Sequence, residues 1–557
     1  MVQRNAPQKL IQGPQCWACR ERRVRCGSET PGCSKCATKG VHCPGYGPTR
    51  PLRWREPKNP KTFKFQKQVG VFPDRPLDIG LCLKTADTPD GAVLSEIMYY
   101  NDRLTPDLVV MDSPSNPFRW PLKLSAIAPM YLNYAYAAIS VFHRIVQRRY
   151  ITPGQARVSS IELTELDHLS DLEGPTFYRY YASALRSVNE ELSKTTKKLN
   201  ITLLAGILML LLSQLQQAAH GQWRLHLDGF KRIISYYGGM ERLLERYLDT
   251  GFLLSNVLII DTMSTATMPA RNMTTDTIRW HMEYLGILPR VDYDLIPTPT
   301  PIPPRLLKVI IMINLARAMA RQARGGEDNK SEFTLSQILT ELGITPARDS
   351  YPPFNKGRKQ TQDSYGTESQ SPETEDLRPT PEESSQTLFT TSYRSAITLY
   401  AVESYLAMET ASLTQILDPA LIPETTRAIK DSAYLSLINS IRALFERKQD
   451  TTNTQAQQNK SHKHSENGGS CGAYWKFIFW PIAIAGVHCA TVQRSREDHE
   501  YICDRLYEMT ALLGTLCMRD AAVFIRRLWG DAEELSSRGR VVLNWDEIFK
   551  DAPLFLL

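Results

Sequence analysis

Near its start the chain reads Cys16-Trp-Ala-Cys-Arg-Glu-Arg-Arg-Val-Arg-Cys26, and the same cysteine spacing recurs in Cys33-Ser-Lys-Cys-Ala-Thr-Lys-Gly-Val-His-Cys43. Cysteine pairs separated by two residues are typical sulfur ligands of structural zinc. A tetrahedral zinc takes four ligands, so six thiolates satisfy two ions only if two of them bridge both. The pattern therefore predicts two Zn²⁺ per chain, held by Cys16, Cys19, Cys26, Cys33, Cys36 and Cys43.

Two other uses of these cysteines have to be weighed. A disulfide knot needs an oxidising compartment, and residues 1–14 lack the apolar stretch of a secretory signal. A single zinc held by the two Cys-x2-Cys pairs would leave Cys26 and Cys43 without a role at mirrored positions. His42 lies beside Cys43, but six thiolates already fill both metal shells, so we interpret it as a bystander.

The charge distribution predicts the kind of partner that this cysteine-rich segment binds. Residues 1–70 carry 15 Lys/Arg against 3 Asp/Glu, whereas the rest of the chain carries 51 against 56. A basic head on a nearly neutral body is typical of a protein whose head binds a polyanion. The candidate nucleic-acid contacts lie among the cysteines and are Arg20, Arg22, Arg23, Arg25 and Lys35. For Lys39 we favour a solvated or nucleus-targeting role.

Together with Pro31 and Gly40-Val-His-Cys43-Pro-Gly-Tyr46, the two stretches closely resemble the fungal zinc binuclear cluster (Zn₂Cys₆) of transcription factors. The resemblance implies that Cys16 and Cys33 are the bridging ligands. It implies that Cys19 and Cys26 complete one zinc site, and that the second site is completed by Cys36 and Cys43.

The same resemblance implies double-stranded DNA as the partner. The end of the first helix would enter the major groove and read a CGG-like triplet. Arg23 matches the base-reading position, with Arg22 beside it, while Arg20, Arg25 and Lys35 would hold phosphates. Two departures are that Gly27 stands where an acidic residue is common, and that Arg25 replaces a frequent lysine. Prolines between residues 44 and 89 exclude the long coiled coil that follows the cluster in well-known members.

The remaining sequence predicts an all-α body. We expect a disordered arm over residues 1–15, the Zn₂Cys₆ module over 16–46, a basic proline-containing linker over 47–90 and a helical domain over 91–557. Leu203–Leu215 is apolar almost all round and predicts a central buried helix. Polar composition predicts disordered insertions at about 346–386 and 448–469. The other predicted helices cover residues 126–146, 177–192, 223–237, 306–323, 393–408, 422–447, 474–493, 499–517, 519–529 and 545–549.

Several segments of the body resemble the second common type of fungal transcription factor regulatory domain. They are Gly45-Tyr-Gly47, Leu52-Arg-Trp54, Asn116-Pro-Phe-Arg-Trp-Pro-Leu122, Trp223-Arg-Leu-His-Leu-Asp-Gly-Phe-Lys-Arg-Ile-Ile234 and Phe479-Trp-Pro-Ile-Ala-Ile-Ala-Gly486. Physically, such aromatic and aliphatic stripes are more often core than pocket. We find no catalytic motif in the sequence and expect no enzyme.

These observations predict a nuclear, sequence-specific transcription factor of the RNA polymerase II type. The alternative is a regulator whose zinc module binds another protein and whose basic charge is only a nuclear address. The acidic tract at residues 373–383 could recruit coactivator or corepressor proteins, or simply be solvated. The longest apolar run, Leu203–Leu212, is too short to span a bilayer, so we expect no membrane association. Pairing of two chains, if it occurs, would use the helical body.

Overall fold

The structure is a computed structural model, and the part of the chain that it describes has several gaps. The chain divides into two compact units, residues 1–75 and residues 76–557, and each unit is described by itself. The predicted arm (apart from residue 15) and the predicted linker lie outside the described residues. These residues are 15–22, 24–29, 32–41, 43–45, 91–150, 173–194, 201–219, 223–247, 250–290, 299–323, 333–344, 381–409, 423–460, 473–538 and 544–550.

The described residues of the first unit form two short helices, α1 (Trp17–Glu21) and α2 (Ser34–Thr38). Each spans 5 residues, far below the length at which a helix is stable alone in water. Both must therefore be held by other contacts, and each begins directly after a cysteine of the repeat. The predicted module thus consists of two similar halves.

The second unit is built from helices throughout its described residues, as the sequence predicts. A π-helical turn (Tyr100–Leu104) and a 3₁₀ turn (Thr105–Leu108) follow the first helix. No helix in the part that the structure describes has the length and apolar character needed to cross a bilayer. The α-helices are α3 (Gly91–Tyr99), α4 (Leu122–Ser125), α5 (Met130–Tyr150), α6 (Glu173–Ser193), α7 (Ile201–Gln217), α8 (Trp223–Tyr236), α9 (Met240–Arg246), α10 (Gly251–Ala266), α11 (Thr275–Ile287), α12 (Pro304–Ala323), α13 (Leu335–Glu341), α14 (Pro381–Glu409), α15 (Pro423–Lys460), α16 (Phe479–Val492), α17 (Arg496–Leu513), α18 (Cys517–Ser537) and α19 (Trp545–Ile548).

One hydrophobic core runs through this body, and several helices contribute long buried stretches to it. Helices α7, α10 and α16 are buried over most of their length, and amphipathic helices such as α8 and α18 cover them. The predicted central helix at 203–215 is α7. Trp223 and Trp480, from two of the resembling segments, are 1% and 0% exposed, so these aromatic stripes are core.

Helix α10 is an element that sequence reasoning missed. Its polar residues Ser255, Ser264 and Thr265 interrupt the apolar pattern, yet all are buried. The hydroxyl of Thr265 donates to the carbonyl of Asp261 at 2.7 Å, and Ser264 donates to the same oxygen at 3.1 Å. Serine and threonine satisfied by their own helix cost little on burial, so a polar pattern here does not indicate an exposed face.

The predicted disordered insertions need correction at their edges. Helix α14 begins at Pro381, inside the predicted range 346–386, and α15 continues to Lys460, inside the range 448–469. Extending a formed helix costs far less than nucleating one, so polar residues can prolong it. The side chain of Arg447 also donates to Ser385 at 3.1 Å, which joins the two helices. The rest of both ranges, residues 345–380 and 461–472, lies outside the described residues.

A further boundary differs from the sequence prediction. The predicted helix over 499–517 ends instead at Leu513, and α18 begins at Cys517. Gly514 lies between them with a φ of +63°, a left-handed conformation that glycine adopts without strain. The imidazole of His143 packs where a side chain at 514 would lie.

Candidate zinc centre and nucleic-acid interface

The two halves of the sequence repeat have the same local structure, a short helix that begins after a cysteine. Cys16 and Cys33 occupy the N-cap positions of α1 and α2, with closely similar backbone angles of −67°, 153° and −75°, 145°. The sulfur of Cys16 accepts a hydrogen bond from the Cys19 backbone N–H at 3.4 Å, and Cys33 accepts from Cys36 at the same distance. The two cysteines that the resemblance names as bridging therefore have equivalent places in the two halves.

Two groups of four sulfur atoms lie close enough to hold metal ions. The first is Cys16, Cys19, Cys26 and Cys33, and the second is Cys16, Cys33, Cys36 and Cys43. Within each group all sulfurs lie within 4.8 Å of one another, and the groups share Cys16 and Cys33. These are the two ligand sets that the family resemblance implies.

The sulfur spacing fits tetrahedral zinc. The Sγ of Cys16 lies 3.7 Å from that of Cys33 and 3.8 Å from that of Cys36, and Cys19 lies 3.6 Å from Cys33. Zinc–sulfur bonds of about 2.3 Å in a tetrahedron separate the sulfurs by about 3.8 Å. All six cysteines are free thiols, which does not support the disulfide alternative. Cys26 and Cys43 belong to the groups, which does not support the single-zinc alternative.

The sulfurs also form the interior of the module. Among its described residues the buried set is Cys16, Ala18, Cys19, Cys33 and Cys36, with Cys26 and Cys43 packed against it. A single alanine methyl is the only hydrocarbon side chain in that set. A module with so little apolar area to bury depends on metal ligation for its folding energy.

Protons compete with metal at these sulfurs. Burial raises the pKa of Cys16 to about 12, that of Cys19 to about 11 and that of Cys36 to about 12. Burial also opposes ionisation of Cys26, but backbone N–H donors at Cys16 and at Ser28 lower its pKa to about 6. Thiolates are the metal ligands, so zinc must displace protons from the first three residues, and acidification should release it.

Four of the predicted DNA-contacting residues are exposed on this module, and three of them are considered first. Arg20, Arg25 and Lys35 all lie at the surface, and the guanidinium of Arg20 stands 5.0 Å from the ring centroid of Trp17. Arg23 lies outside the described residues. The surface cations fit a phosphate backbone, because phosphate contacts need only loosely placed positive charge.

Arg22 is also exposed, but its guanidinium contacts the sulfur cluster. Its Nη2 donates to the sulfur of Cys36 at 3.4 Å and lies 3.9 Å from that of Cys19. Its Nε donates to the carbonyl of Ala18 at 3.1 Å. The structure therefore places Arg22 against the sulfur cluster, whereas sequence reasoning grouped it with the DNA contacts.

Glu29 is a second residue whose role the sequence analysis missed. Its carboxylate accepts from the backbone N–H of Ser34, the first residue of α2, at 2.8 Å. It also lies against Gly27, where the family often has an acidic residue. The hydrogen bonds from Ser34 lower the pKa of Glu29. An acidic side chain two positions later thus occupies the space of the missing one, and it stabilises the positive end of α2.

A buried polar network joins the last helix to the body. Arg317, which is 1% exposed, donates to the carbonyls of Ala266 at 3.0 Å and Met268 at 2.7 Å. It also donates to the hydroxyl of Tyr400 at 3.1 Å and pairs with Asp546 of α19 at 2.7 Å. A buried guanidinium with this many acceptors is fully used inside the fold.

The network continues through Asn314 to a neutral histidine. Tyr400 donates to the Asn314 oxygen at 2.6 Å, and the Asn314 amide nitrogen lies 2.9 Å from the Thr262 carbonyl and 3.1 Å from His281 Nε2. Nδ1 of His281 lies 2.9 Å from the Thr277 carbonyl. Nε2 therefore accepts and Nδ1 donates. Burial lowers the pKa of His281 to about 4, so the ring is uncharged near neutrality. These groups satisfy one another, which indicates a structural role.

A sulfur-lined module with surface guanidiniums, followed by a large helical body, defines a zinc-cluster transcription factor. Residues 95–557 match the family described as the fungal specific transcription factor domain, and residues 15–52 match the fungal Zn(2)-Cys(6) binuclear cluster domain. The first match covers most of the chain, so this protein belongs to that family. It is a transcription factor and not an enzyme, and its zinc-cluster domain implies binding of zinc and of DNA. The predicted resemblance and fold class are confirmed.

Full-length similarity extends to a regulator from Leptosphaeria maculans, described as the phomenoic acid biosynthesis cluster-specific transcriptional regulator. It is 23% identical over 97% of this chain and 88% of its own length. Two transcription factors of Diaporthe leptostromiformis, phomR and phomR′, are each 49% identical over 41 residues, which is 7% of this chain and 6% of theirs. No solved structure matches the chain.

Proposed function

We propose that this protein is a nuclear transcription factor that reads CGG-like triplets in promoters of RNA polymerase II genes and holds two zinc ions. The observation that carries the proposal is the pair of four-sulfur groups that share Cys16 and Cys33. In this assignment Cys19 and Cys26 complete one zinc site, and the second is completed by Cys36 and Cys43. The zinc ions are structural, because every ligand position is filled by sulfur.

The exposed cations divide between two tasks. Arg23 contacts a base edge, since arginine can donate two hydrogen bonds to guanine, and its position in the sequence supports this role. Arg20, Arg25 and Lys35 contact phosphates and set the register of the module on the duplex. This division supports a sequence-specific protein whose affinity depends strongly on salt.

Substitutions in the full chain test the division. Arg23→Ala should cost roughly 1–3 kcal/mol on a CGG-containing duplex and relax the choice at one base pair. Lys35→Ala is the matched control, and it should weaken all duplexes alike and lower the salt slope by about 1. Uniform weakening by Arg23→Ala would make that residue a phosphate contact. Binding that fails on every duplex at low salt would favour the alternative, a protein-interaction module.

We further propose that the target genes form one biosynthetic gene cluster. The support is the full-length similarity to a regulator named for such a cluster. Deleting the gene in the fungus that carries it, followed by transcript sequencing, should change the expression of adjacent biosynthetic genes. Changes scattered over the genome would contradict this proposal.

We also propose that two chains pair through the helical body, and that the protein recruits coactivators or corepressors. Sedimentation of the full chain tests the pairing, and affinity capture with the full chain tests the recruitment.

A further inference from the structure

The two halves of the zinc module differ at one matched position. Arg22 is the C-cap of α1, and Lys39 is the C-cap of α2. Both residues are exposed and cationic, and each lies three residues after the second cysteine of its half. Only at Arg22 does the structure bring the cation onto sulfur among the described contacts, at Cys36 and Cys19. The two halves of the repeat therefore differ in whether the cation at this position contacts sulfur.

The contacts of Arg22 reach both ligand groups at once. Cys19 belongs only to the first four-sulfur group, and Cys36 belongs only to the second. Because Nη2 points at both sulfurs, a single guanidinium spans the two metal sites. The hydrogen bond from Nε to the carbonyl of Ala18 fixes the orientation of the plane. A lysine ammonium has no second nitrogen with which to make that bond.

The charge of the loaded cluster explains why a cation belongs there. Six thiolates and two divalent ions leave a net charge of about −2 on a compact, partly buried group. Donors to ligating sulfur orient the ligand and offset its charge, and losing such outer contacts typically costs about 10–100-fold in metal affinity. Arg22 supplies such a donor from within the chain.

We propose that Arg22 is a positioning residue of the zinc cluster: it hydrogen bonds to thiolates of both metal sites and slows the loss of zinc, and it does not read a base. The inference rests on the proposed two-zinc function. It separates Arg22 from Arg23, its neighbour in sequence, so that adjacent arginines serve the metal and the DNA respectively.

Zinc release from the full chain tests the proposal. Zinc-loaded wild type, Arg22→Gln and Lys39→Gln are mixed with an excess of a chromogenic chelator, and the release rate is followed by absorbance. Arg22→Gln should release zinc roughly 10 times faster than wild type. Lys39→Gln removes the same charge from the equivalent position and should match wild type. Arg22→Lys should fall between them, because it keeps the charge but loses the Ala18 hydrogen bond.

The outcomes separate the failure of this inference from the failure of the proposed function. Equal release rates in all four proteins, each loaded with two zinc ions, would overturn the role of Arg22 and leave the function standing. A wild type that carries no zinc would overturn the proposed function itself. With zinc in excess, Arg22→Gln should keep the base preference of wild type, and a change at one base pair would show that Arg22 reads DNA.

Discussion

The zinc module and the helical body bury their interiors in opposite ways. The module packs sulfur around a metal site and has almost no hydrocarbon core, whereas the body encloses a hydrophobic core built from helices such as α7 and α16. The stability of the module is therefore a property of its ligation chemistry, and that of the body is a property of packing. One chain thus contains two units whose folded states respond to different conditions.

The largest expected effect comes from removing a shared ligand. Cys33 belongs to both four-sulfur groups, so Cys33→Ser should abolish stable zinc binding and DNA binding. Structural zinc supplies about 10–16 kcal/mol at neutral pH, more than so small a module can replace. Zinc content and duplex binding measure the loss. Thermal unfolding of the body, followed by circular dichroism, should stay unchanged.

The reciprocal change is Cys503→Ser. Cys503 is buried in α17 of the body, where its sulfur lies 3.9 Å from the carbonyl of Ala522. This variant should keep full zinc content and lower only the stability of the body. If Cys33→Ser kept two zinc ions, or if it also destabilised the body, the contrast between the two units would be wrong.

The next effect concerns the buried ion pair of the body. Asp546→Ala removes the carboxylate that pairs with Arg317, whose side chain is 2% exposed, and leaves the guanidinium short of its anion. Breaking a buried pair costs about 3–5 kcal/mol, and we expect the low end because the Asp546 side chain is 35% exposed. Urea unfolding measures the loss. Asp531→Ala breaks an exposed pair with Arg527 and should cost at most about 1 kcal/mol. Equal losses in the two variants would show that burial does not decide the cost.

A smaller loss is expected where α17 ends. Gly514→Ala forces a side chain into a left-handed conformation and makes its Cβ clash with the His143 ring. The combined strain and overpacking should cost about 2–3 kcal/mol. Gly530→Ala is the control, since nothing lies near its Cβ inside α18, and it should stabilise the body by about 0.5–1 kcal/mol. Urea unfolding of both variants checks the pair, and a stabilised Gly514→Ala protein would contradict the packing described here.

Acidification should affect both units, for different reasons. In the body the pKa of His281 is lowered to about 4 by burial, against about 6.5 in an unfolded chain. Between these values the unfolded state binds more protons, so stability falls as the pH drops from 6.5 towards 4. The contribution of His281 between pH 7 and pH 5.5 is about 1 kcal/mol. The nearby Asp261 raises the pKa of His281, whereas Lys231 lowers it.

The test of this pH effect is His281→Asn. The variant should show a shallower fall in urea-unfolding stability over that pH interval, whatever its stability at pH 7. An identical pH slope in the two proteins would contradict the assignment. Zinc release from the module at the same pH values gives the comparison, because there the protons act on Cys16, Cys19 and Cys36.

Much of the site could be predicted from sequence because metal ligation is set by short spacing. The repeated Cys-x2-Cys-x6-Cys spacing predicted the six ligands, and the family resemblance implied how they divide into two groups. The structure brings the same sulfurs together. Hydrophobic periodicity likewise predicted α7 and α8. It failed for α10, because buried serine and threonine residues that bond to their own helix look like an exposed face. It also misplaced the end of α17, where one left-handed glycine breaks the pattern.

The chemistry of this protein follows from its amino-acid sequence alone: six thiolates at ligand spacing, arginines between them, and a helical body. These are local properties, since ligands and helical periodicity are set within a few turns of chain. The folded structure is needed to show that the guanidinium of Arg22 contacts sulfur, and that Arg317 pairs with Asp546, 229 residues away in sequence. Such pairings depend on packing between distant segments, and no spacing in the sequence records which partners the folded chain brings within hydrogen-bonding distance.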